Sequence, residues 1–192
     1  LLLNSHKSYA AEVTLGIQTD TDDAEGETIF SKSISVEHNE IERTLLAFIG
    51  ESQQQPPTYS ALKVKGKPMY KYAREGISVE KESRKIIIKS IANIFIKLPS
   101  LSFEIVCSKG TYIRSIARDL GLKLSCGGHL SALTRLSQQD FSIKDAKKID
   151  EITELDIIPL EAAFYHLGSV EIPADQLKIF INGSAINLKS VS

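Results

Sequence analysis

Alternating apolar residues near the start of the chain limit its possible folds more than any other sequence feature. Apolar residues lie at every second position from 9 to 17, and the residues between them are mostly polar or small. This period of two is typical of a strand that buries one face. The later segments 85–97, 101–107 and 129–136 also have strand character. A sheet built from several separate parts of the chain is therefore predicted.

Helical spacing of apolar residues occurs between these strands. It is found at 41–49 and at 113–124, where Thr111 is a candidate N-cap. A further helix is predicted from Lys144 to Ala163. Because strands and helices do not alternate in strict βαβ units, we expect an α+β fold with a mixed, largely antiparallel central sheet flanked by helices.

The character of the sequence changes near its end. The segment 177–188, around Asn182-Gly183, is predicted to form a small β segment. Residues 166–192 are too few to fold as a domain alone. We therefore predict one domain over residues 1–165 and the start of a second, β-rich domain over residues 166–192.

Composition is typical of a globular protein and excludes several classes. Hydrophobic residues make up 42% of 192 positions, enough to bury a core. The apolar opening, Leu1 to Leu3, is too short for a signal peptide or membrane span, so the cytoplasm is expected. Cys107 and Cys126 lack the spacing of a disulfide framework or zinc site. With no glycine-rich phosphate loop either, no cofactor and no metal are expected.

Basic charge is concentrated in the middle third of the chain. The formal net charge is -1, but residues 56–124 carry 14 basic and 5 acidic side chains. A hairpin predicted at 59–67 contains Tyr59, Lys63, Lys65 and Lys67. Lysines interleaved with aromatic rings suit the phosphates and bases of RNA. A solvated lysine-rich face is the alternative interpretation.

A strand that ends in a glycine turn before a helix is the most informative segment. It runs Cys107-Ser108-Lys109-Gly110-Thr111-Tyr112-Ile113-Arg114. The helix N-terminus and Lys109 could bind an anion. Tyr112 and Arg114 lie about 100° to either side of Ile113, so they can face a pocket while Ile113 faces the core. The alternative is a boundary tyrosine and a surface cation.

This segment resembles a signature of the B-type tRNA pseudouridine synthases, a bacterial family. Other stretches match the same family in the same order: Lys7-Ser8-Tyr9, Leu15-Gly16, Thr19-Asp20-Thr21, Pro56 to Lys63, and Ala73-Arg74 with Gly76. The resemblance covers residues 1 to about 140. It implies the pseudouridine synthase fold and an isomerase that converts uridine 55 in the T-loop of tRNA to pseudouridine. It also implies that the tail begins a C-terminal RNA-binding domain.

The resemblance assigns roles to single residues. The reaction requires base flipping, because a stacked uracil cannot be detached, rotated and rejoined through C5. Tyr9 matches a tyrosine that stacks on the flipped base and can remove the C5 proton, and Arg114 matches the arginine that pairs with a nucleophilic aspartate. Tyr112 and Leu133 match pocket residues, although Leu133 equally suits a core position. Asp20 is a secondary candidate, with a structural role in its turn favoured.

The resemblance also implies an RNA partner and a catalytic motif that these residues lack. The tRNA T-arm stem-loop is the expected partner. Its expected contacts are Tyr59, Lys63, Lys65, Lys67 and Lys109. Neither membrane binding nor an obligatory protein partner is expected. The family's nucleophilic aspartate lies in a Gly-x-Leu-Asp motif upstream of the position of Lys7, and these 192 residues contain no such motif. We therefore expect a fragment that is inactive alone and in which Arg114 has no partner.

Two further classes of function stay open at this point. A non-catalytic module that binds or folds tRNA would also keep the basic hairpin and lack the aspartate. The related guide-RNA-dependent pseudouridine synthases share the Gly-Thr-Tyr-Ile-Arg core, but the Pro-Pro-Thr-Tyr-Ser-Ala stretch fits the stand-alone bacterial type better.

Overall fold

The computed structural model describes residues 5–64, 66–77, 79, 82–159, 162 and 170–186. The strands are β1 (Lys7–Leu15), β2 (Ile17–Thr19), β3 (Thr28–Ser31), β4 (Gly50–Gln54), β5 (Lys63–Val64), β6 (Lys67–Pro68), β7 (Arg84–Lys97), β8 (Ser100–Cys107), β9 (Gly128–Gln138) and β10 (Phe141–Ser142). The helices are α1 (His38–Leu46), α2 (Met69–Arg74), α3 (Ile113–Lys123) and α4 (Ala174–Ile181). The chain divides into two compact units, residues 1–146 and 147–192.

The first unit is built on an antiparallel sheet with the strand order β10-β9-β1-β8-β7-β4. The predicted β1 lies in the middle, paired with β8 and β9. Its alternate residues, including the fully buried Val13, pack with β7, β8, α1 and α3 in one core. The α+β fold with a largely antiparallel sheet is therefore confirmed. No helix in the described part of the chain is long and apolar enough to cross a membrane.

Close packing between α3 and the start of β9 depends on Gly121. A Cβ atom at this position would lie 2.1 Å from the backbone nitrogen of Gly128 and 2.2 Å from the carbonyl carbon of Gly127. The carbonyl of Gly121 also accepts hydrogen bonds from the N–H groups of Cys126 and Gly127. The helix therefore cannot move away from this loop without breaking both bonds.

Gly121→Ala is expected to destabilise the protein by about 1–3 kcal/mol, because backbone atoms rather than a flexible side chain must yield. Helix propensity alone would stabilise the alanine variant by about 1 kcal/mol, so the sign of the change identifies the packing effect. Urea unfolding measures it. Leu122→Ala, at the exposed neighbouring position, is the control, and a stabilised Gly121→Ala variant would contradict the packing.

The helix predicted from Lys144 to Ala163 is wrong for residues 144–159. They form three short 3-10 turns, at Ile143–Asp145, Ile149–Glu151 and Glu154–Asp156. Helical stability comes mainly from burying an apolar face, and here Ile149 and Leu155 are 91% and 96% exposed. Without a core to cover, the apolar spacing does not produce a continuous helix.

The β segment predicted over 177–188 is wrong for its described residues, because 177–181 belong to helix α4 and 182–186 form a turn without a strand. Leu177, Phe180 and Ile181 follow helical rather than alternating spacing. Pro173 precedes the helix, and Gly183 follows it with a φ of 76°, which suits a helix end. Residues 187–188 and the predicted boundary between residues 165 and 166 lie outside the described residues, so that boundary stays a prediction.

Candidate active site

An acidic turn, residues 20–27, connects β2 to β3. Asp20 closes it, because its N–H donates to the carbonyl of Glu27 (3.1 Å) and its Oδ1 accepts from the N–H of Glu27 (2.9 Å). The hydroxyl of Thr19 donates to the carbonyl of Asp23 (2.6 Å). Asp20 thus has the structural role favoured from its sequence context, and its use as a site residue stays a prediction.

Arg114, the second residue of α3, reaches this turn. Its Nη1 donates to Oδ2 of Asp23 (2.8 Å) and to the carbonyl of Thr21 (3.4 Å), and its Nη2 donates to the carbonyl of Tyr59 (2.7 Å). Both charged side chains are about one-quarter exposed. The expectation that Arg114 has no partner in this chain is therefore wrong. The acidic turn was visible in the sequence, but the sequence does not show which of its carboxylates projects towards α3.

The carboxylate of Asp23 is held in its charged form. Partial burial would by itself raise its pKa, but hydrogen bonds from the hydroxyl of Thr21 (2.6 Å), from Arg114 and from the N–H of Glu25 (3.2 Å) outweigh this effect. The pKa of Asp23 consequently lies below its ordinary value. The ion pair with Arg114 is complete at neutral pH and is disrupted only as the pH falls through this lowered pKa.

The backbone of Tyr112 is held in place by the side-chain amide of Gln54. Its N–H donates to Oε1 of Gln54 (2.8 Å), and its carbonyl accepts from Nε2 of the same buried side chain (3.1 Å). Tyr112 is the N-cap residue of α3, which begins at Ile113. The prediction that Thr111 caps the helix is wrong, because its hydroxyl donates to the carbonyl of Ser108 (2.9 Å). Gln54 was missed because no local pattern connects residues 58 positions apart.

Tyr9 and Leu133 lie beside each other on the sheet. In the β1–β9 pairing Tyr9 is opposite Arg135, and Ala11 is opposite Leu133. Residues opposite each other and residues two apart share one face of a sheet. The guanidinium of Arg135 lies 5.5 Å from the ring centre of the buried Tyr9. Leu133 is 44% exposed, which excludes a core role and leaves it available to line an open surface.

The same face of the sheet carries α3. Tyr9 and Ile113 belong to one apolar core, and Tyr112 and Arg114 lie on either side of Ile113 at the start of α3. The structure thus brings Tyr9 and Leu133 together on the sheet, and Tyr112 and Arg114 together at the start of α3. Their convergence around a flipped base stays a prediction.

The hairpin predicted at 59–67 is shorter in the structure, where β5 pairs with β6 and residues 59–62 precede the strands. Its turn contains Gly66, whose φ of 82° favours glycine. The ammonium of Lys67 lies 4.7 Å from the ring centre of Tyr72 and forms an ion pair with Glu75. Lys65 lies outside the described residues, so its role is untested by the geometry.

The other predicted RNA-contact residues lie at different places. Tyr59 provides a carbonyl to Arg114, so the segment before the hairpin is attached to the candidate site. Lys63 is exposed on β5. Lys109 is exposed in the turn between β8 and α3. The structure therefore distributes positive charge from the hairpin to the N-terminus of α3.

Comparison with known proteins identifies relatives of the whole chain. Residues 1–113 match the family model described as TruB family pseudouridylate synthase (N terminal domain). The chain is 38% identical over 190 residues to tRNA pseudouridine synthase B of Alkaliphilus oremlandii, covering 96% of this chain and 64% of that protein. It is 40% identical over 193 residues to the protein of the same name from Clostridium kluyveri, covering 98% and 67%. The chain thus spans about two thirds of the length of these relatives.

Solved structures share the fold. A structure of an H/ACA RNP bound to a substrate RNA containing 2'-deoxyuridine matches all of this chain and 51% of the other, with a TM-score of 0.66 at 21% identity. A Cbf5-Nop10-Gar1 complex matches 73% of this chain and 32% of the other, with a TM-score of 0.51 at 25% identity. At 21% identity, the likeness to the H/ACA RNP structure shows a shared fold and nothing about function.

Proposed function

The chain belongs to the TruB family of pseudouridylate synthases, and on this premise we propose that the full-length protein converts uridine 55 in the T-loop of tRNA to pseudouridine. The observation that carries the proposal is the fixed guanidinium of Arg114 at the start of α3. Three hydrogen bonds to Asp23, Thr21 and Tyr59 hold it. A guanidinium has five N–H donors. Within the described residues, two donors can therefore serve a further carboxylate.

In this proposal the nucleophile is an aspartate outside the 192 residues, bound and oriented by Arg114. A charge-assisted bond to the guanidinium keeps such a carboxylate ionised and aimed at the nucleotide. The bond between N1 of uracil and C1′ of the ribose breaks, the base rotates, and C5 bonds to C1′. C5 then loses its proton and N1 gains one, so atoms and electrons balance without an oxidant or reductant.

Tyr9 and Leu133 are proposed to receive the flipped base. Their side chains share the sheet face next to α3, one as a buried aromatic ring and one as an exposed apolar group. A flipped base loses its stacking partners, and an aromatic ring with an apolar neighbour replaces them. Tyr9 also supplies a phenolic oxygen, which as the phenolate can take the proton released from C5. Tyr112 is proposed to flank the same nucleotide.

The hairpin and Lys109 are proposed to bind the phosphates of the T-arm. Replacing Lys63 and Lys67 together with glutamine is expected to weaken T-arm binding about tenfold at low salt. The slope of log K against log salt should become shallower by about 0.7–0.9 for each phosphate that the variant no longer neutralises. Fluorescence anisotropy over a salt series measures both quantities. Lys97→Gln, an exposed lysine on β7, is the control, and an unchanged slope in the double variant would contradict this role of the hairpin.

The experiment for the proposed function is nucleoside analysis of unmodified tRNA after incubation with the full-length protein. One pseudouridine per tRNA, mapped to the T-loop, is the expected result. Pseudouridine at other positions would contradict the assigned substrate. Tight T-arm binding without any pseudouridine would instead identify a non-catalytic tRNA-binding module.

A further inference from the structure

A second arginine lies one helical turn beyond Arg114. Arg118 is only 11% exposed, and its Nη1 donates to Oδ2 of Asp22 (3.0 Å). Its Nη2 donates to the carbonyl of Gln55 (3.0 Å), and its Nε donates to Oδ1 of Asp119 (2.9 Å). The side chain of Asp22 is 7% exposed. This pair is therefore buried, whereas the Arg114–Asp23 pair above it is partly open.

Both arginines bridge the same two segments of the chain. Arg114 connects Asp23 of the acidic turn to the carbonyl of Tyr59, and Arg118 connects Asp22 to the carbonyl of Gln55. Residues four apart lie on the same side of a helix. The two connections are thus stacked along α3, and we call Arg114–Asp23 the outer pair and Arg118–Asp22 the inner pair.

The backbone of Asp22 directs the two neighbouring carboxylates to different arginines. Asp22 has a φ of 63°, which is uncommon for a residue other than glycine. Its N–H donates to the carbonyl of Thr19 (3.3 Å), and its carbonyl accepts from the N–H of Leu130 on β9 (3.0 Å). The N–H of Leu130 thus holds the backbone of Asp22 from the sheet side, and Arg118 holds its carboxylate from the helix side. If the bond to Leu130 or the bond to Arg118 is broken, the turn can relax and carry Asp23 with it.

We infer that Asp22 and Arg118 are positioning residues, which fix the acidic turn so that the outer pair holds the nucleophilic aspartate in its reactive orientation. The inference rests on the proposed function. Both side chains are nearly covered by protein, so they act through Asp23 and Arg114 rather than on the RNA. Removing Arg118 would take the ion-pair partner at 3.0 Å from the buried carboxylate of Asp22, which is unfavourable. Removing Asp22 would leave Arg118 paired with Asp119, so that its guanidinium no longer bridges to the acidic turn.

The first test uses the full-length protein with the variants Asp22→Asn, Arg118→Lys and both together. Each is expected to lower kcat about 10–100-fold, because misplacing a reacting group by about 1 Å can cost 10²-fold. The Kd for the T-arm should stay within about twofold. The double variant should be no slower than the worse single variant, since the two residues act as a unit. Arg43→Lys, exposed on α1, is the control.

The second test does not need activity. Carbon-13 NMR of labelled aspartate follows the titration of Asp23 in this chain and in each of its variants. From α3, Arg114 bonds to Asp23 and Arg118 bonds to the adjacent Asp22, and the turn itself also carries Asp20 and Glu25. If Arg118→Lys loosens the outer pair, the pKa of Asp23 rises towards its ordinary value. Circular dichroism at the assay temperature shows whether each variant is folded. If the Asp22→Asn variant is unfolded, the test is made with Arg118→Lys alone.

The possible outcomes separate this inference from the proposed function. A folded variant with unchanged kcat and an unchanged Asp23 titration would overturn the positioning role. Equal reductions of kcat and T-arm affinity would overturn it as well, because they would indicate direct binding of RNA. If the wild-type protein makes no pseudouridine, the proposed function fails, and the NMR titration alone then decides whether the inner pair positions the outer one.

Discussion

Replacing Arg114 with alanine in the full-length protein is expected to lower kcat about 10³-fold or more, the range seen when an oriented electrostatic interaction with the reacting groups is removed. The Kd for the T-arm should change less than about threefold. Arg114 is partly buried and already bonded to Asp23, Thr21 and Tyr59. It is therefore placed to orient a carboxylate rather than to collect a phosphate from solution. Single-turnover kinetics and anisotropy measure the two quantities separately.

Arg114→Lys refines this prediction. An ammonium is a compact charge without the planar fork that lets a guanidinium bond several acceptors in fixed directions. The lysine variant should therefore show most of the same reduction in kcat, although it keeps the charge. Arg43→Ala, on the exposed side of α1, should retain wild-type kcat. If Arg114→Ala weakens T-arm binding to the same extent as the lysine-to-glutamine hairpin variant, Arg114 binds RNA directly and its assigned role is wrong.

The sheet could be predicted from the sequence because its signal is local. Alternation around Val13 identifies a strand with one buried face, and β1 does bury that face in the middle of the sheet. The basic hairpin was likewise predicted from a local stretch, and its turn contains Gly66 with a positive φ. The helix predicted from Lys144 to Ala163 failed because its apolar pattern has no core to cover. Around Leu155 apolar spacing exists without a core to bury it, and spacing alone does not stabilise a helix.

The site could be predicted only in part. Tyr9, Arg114 and Leu133 were named from the resemblance, and the structure shows what surrounds them. The partner of Arg114 could not be found, because Asp23 lies 91 residues away and shares its turn with other acidic residues. The same holds for Gln54, whose amide fixes the backbone of Tyr112. Such contacts depend on how strands and helices assemble, which no local pattern records.

The 192-residue chain alone is expected to bind the T-arm weakly and to form no pseudouridine. Breaking a glycosidic bond without a metal or cofactor requires a positioned nucleophile. The three aspartates of the acidic turn are already engaged: Asp20 closes the turn, Asp22 pairs with Arg118, and Asp23 pairs with Arg114. The lowered pKa of Asp23 also makes its carboxylate a weaker base. None of the three is therefore expected to attack the nucleotide.

Product analysis with this chain at a concentration above the Kd for the T-arm checks the expectation. Circular dichroism is the control that the chain is folded. Multiple turnovers by the pure chain would place the nucleophile within these residues. Asp23→Asn and Asp20→Asn would then show which carboxylate is responsible.

Release of tritium from a T-arm stem-loop, labelled at C5 of uridine 55, tests the central claim most directly, because C5 loses its hydrogen only when it bonds to the ribose. The full-length protein should release all of the label over many turnovers, and its Arg114→Ala variant should release almost none in the same time. A stem-loop labelled at a different uridine should keep its tritium. A folded full-length protein that binds the stem-loop tightly and releases no tritium would contradict the assignment of this chain to uridine isomerisation.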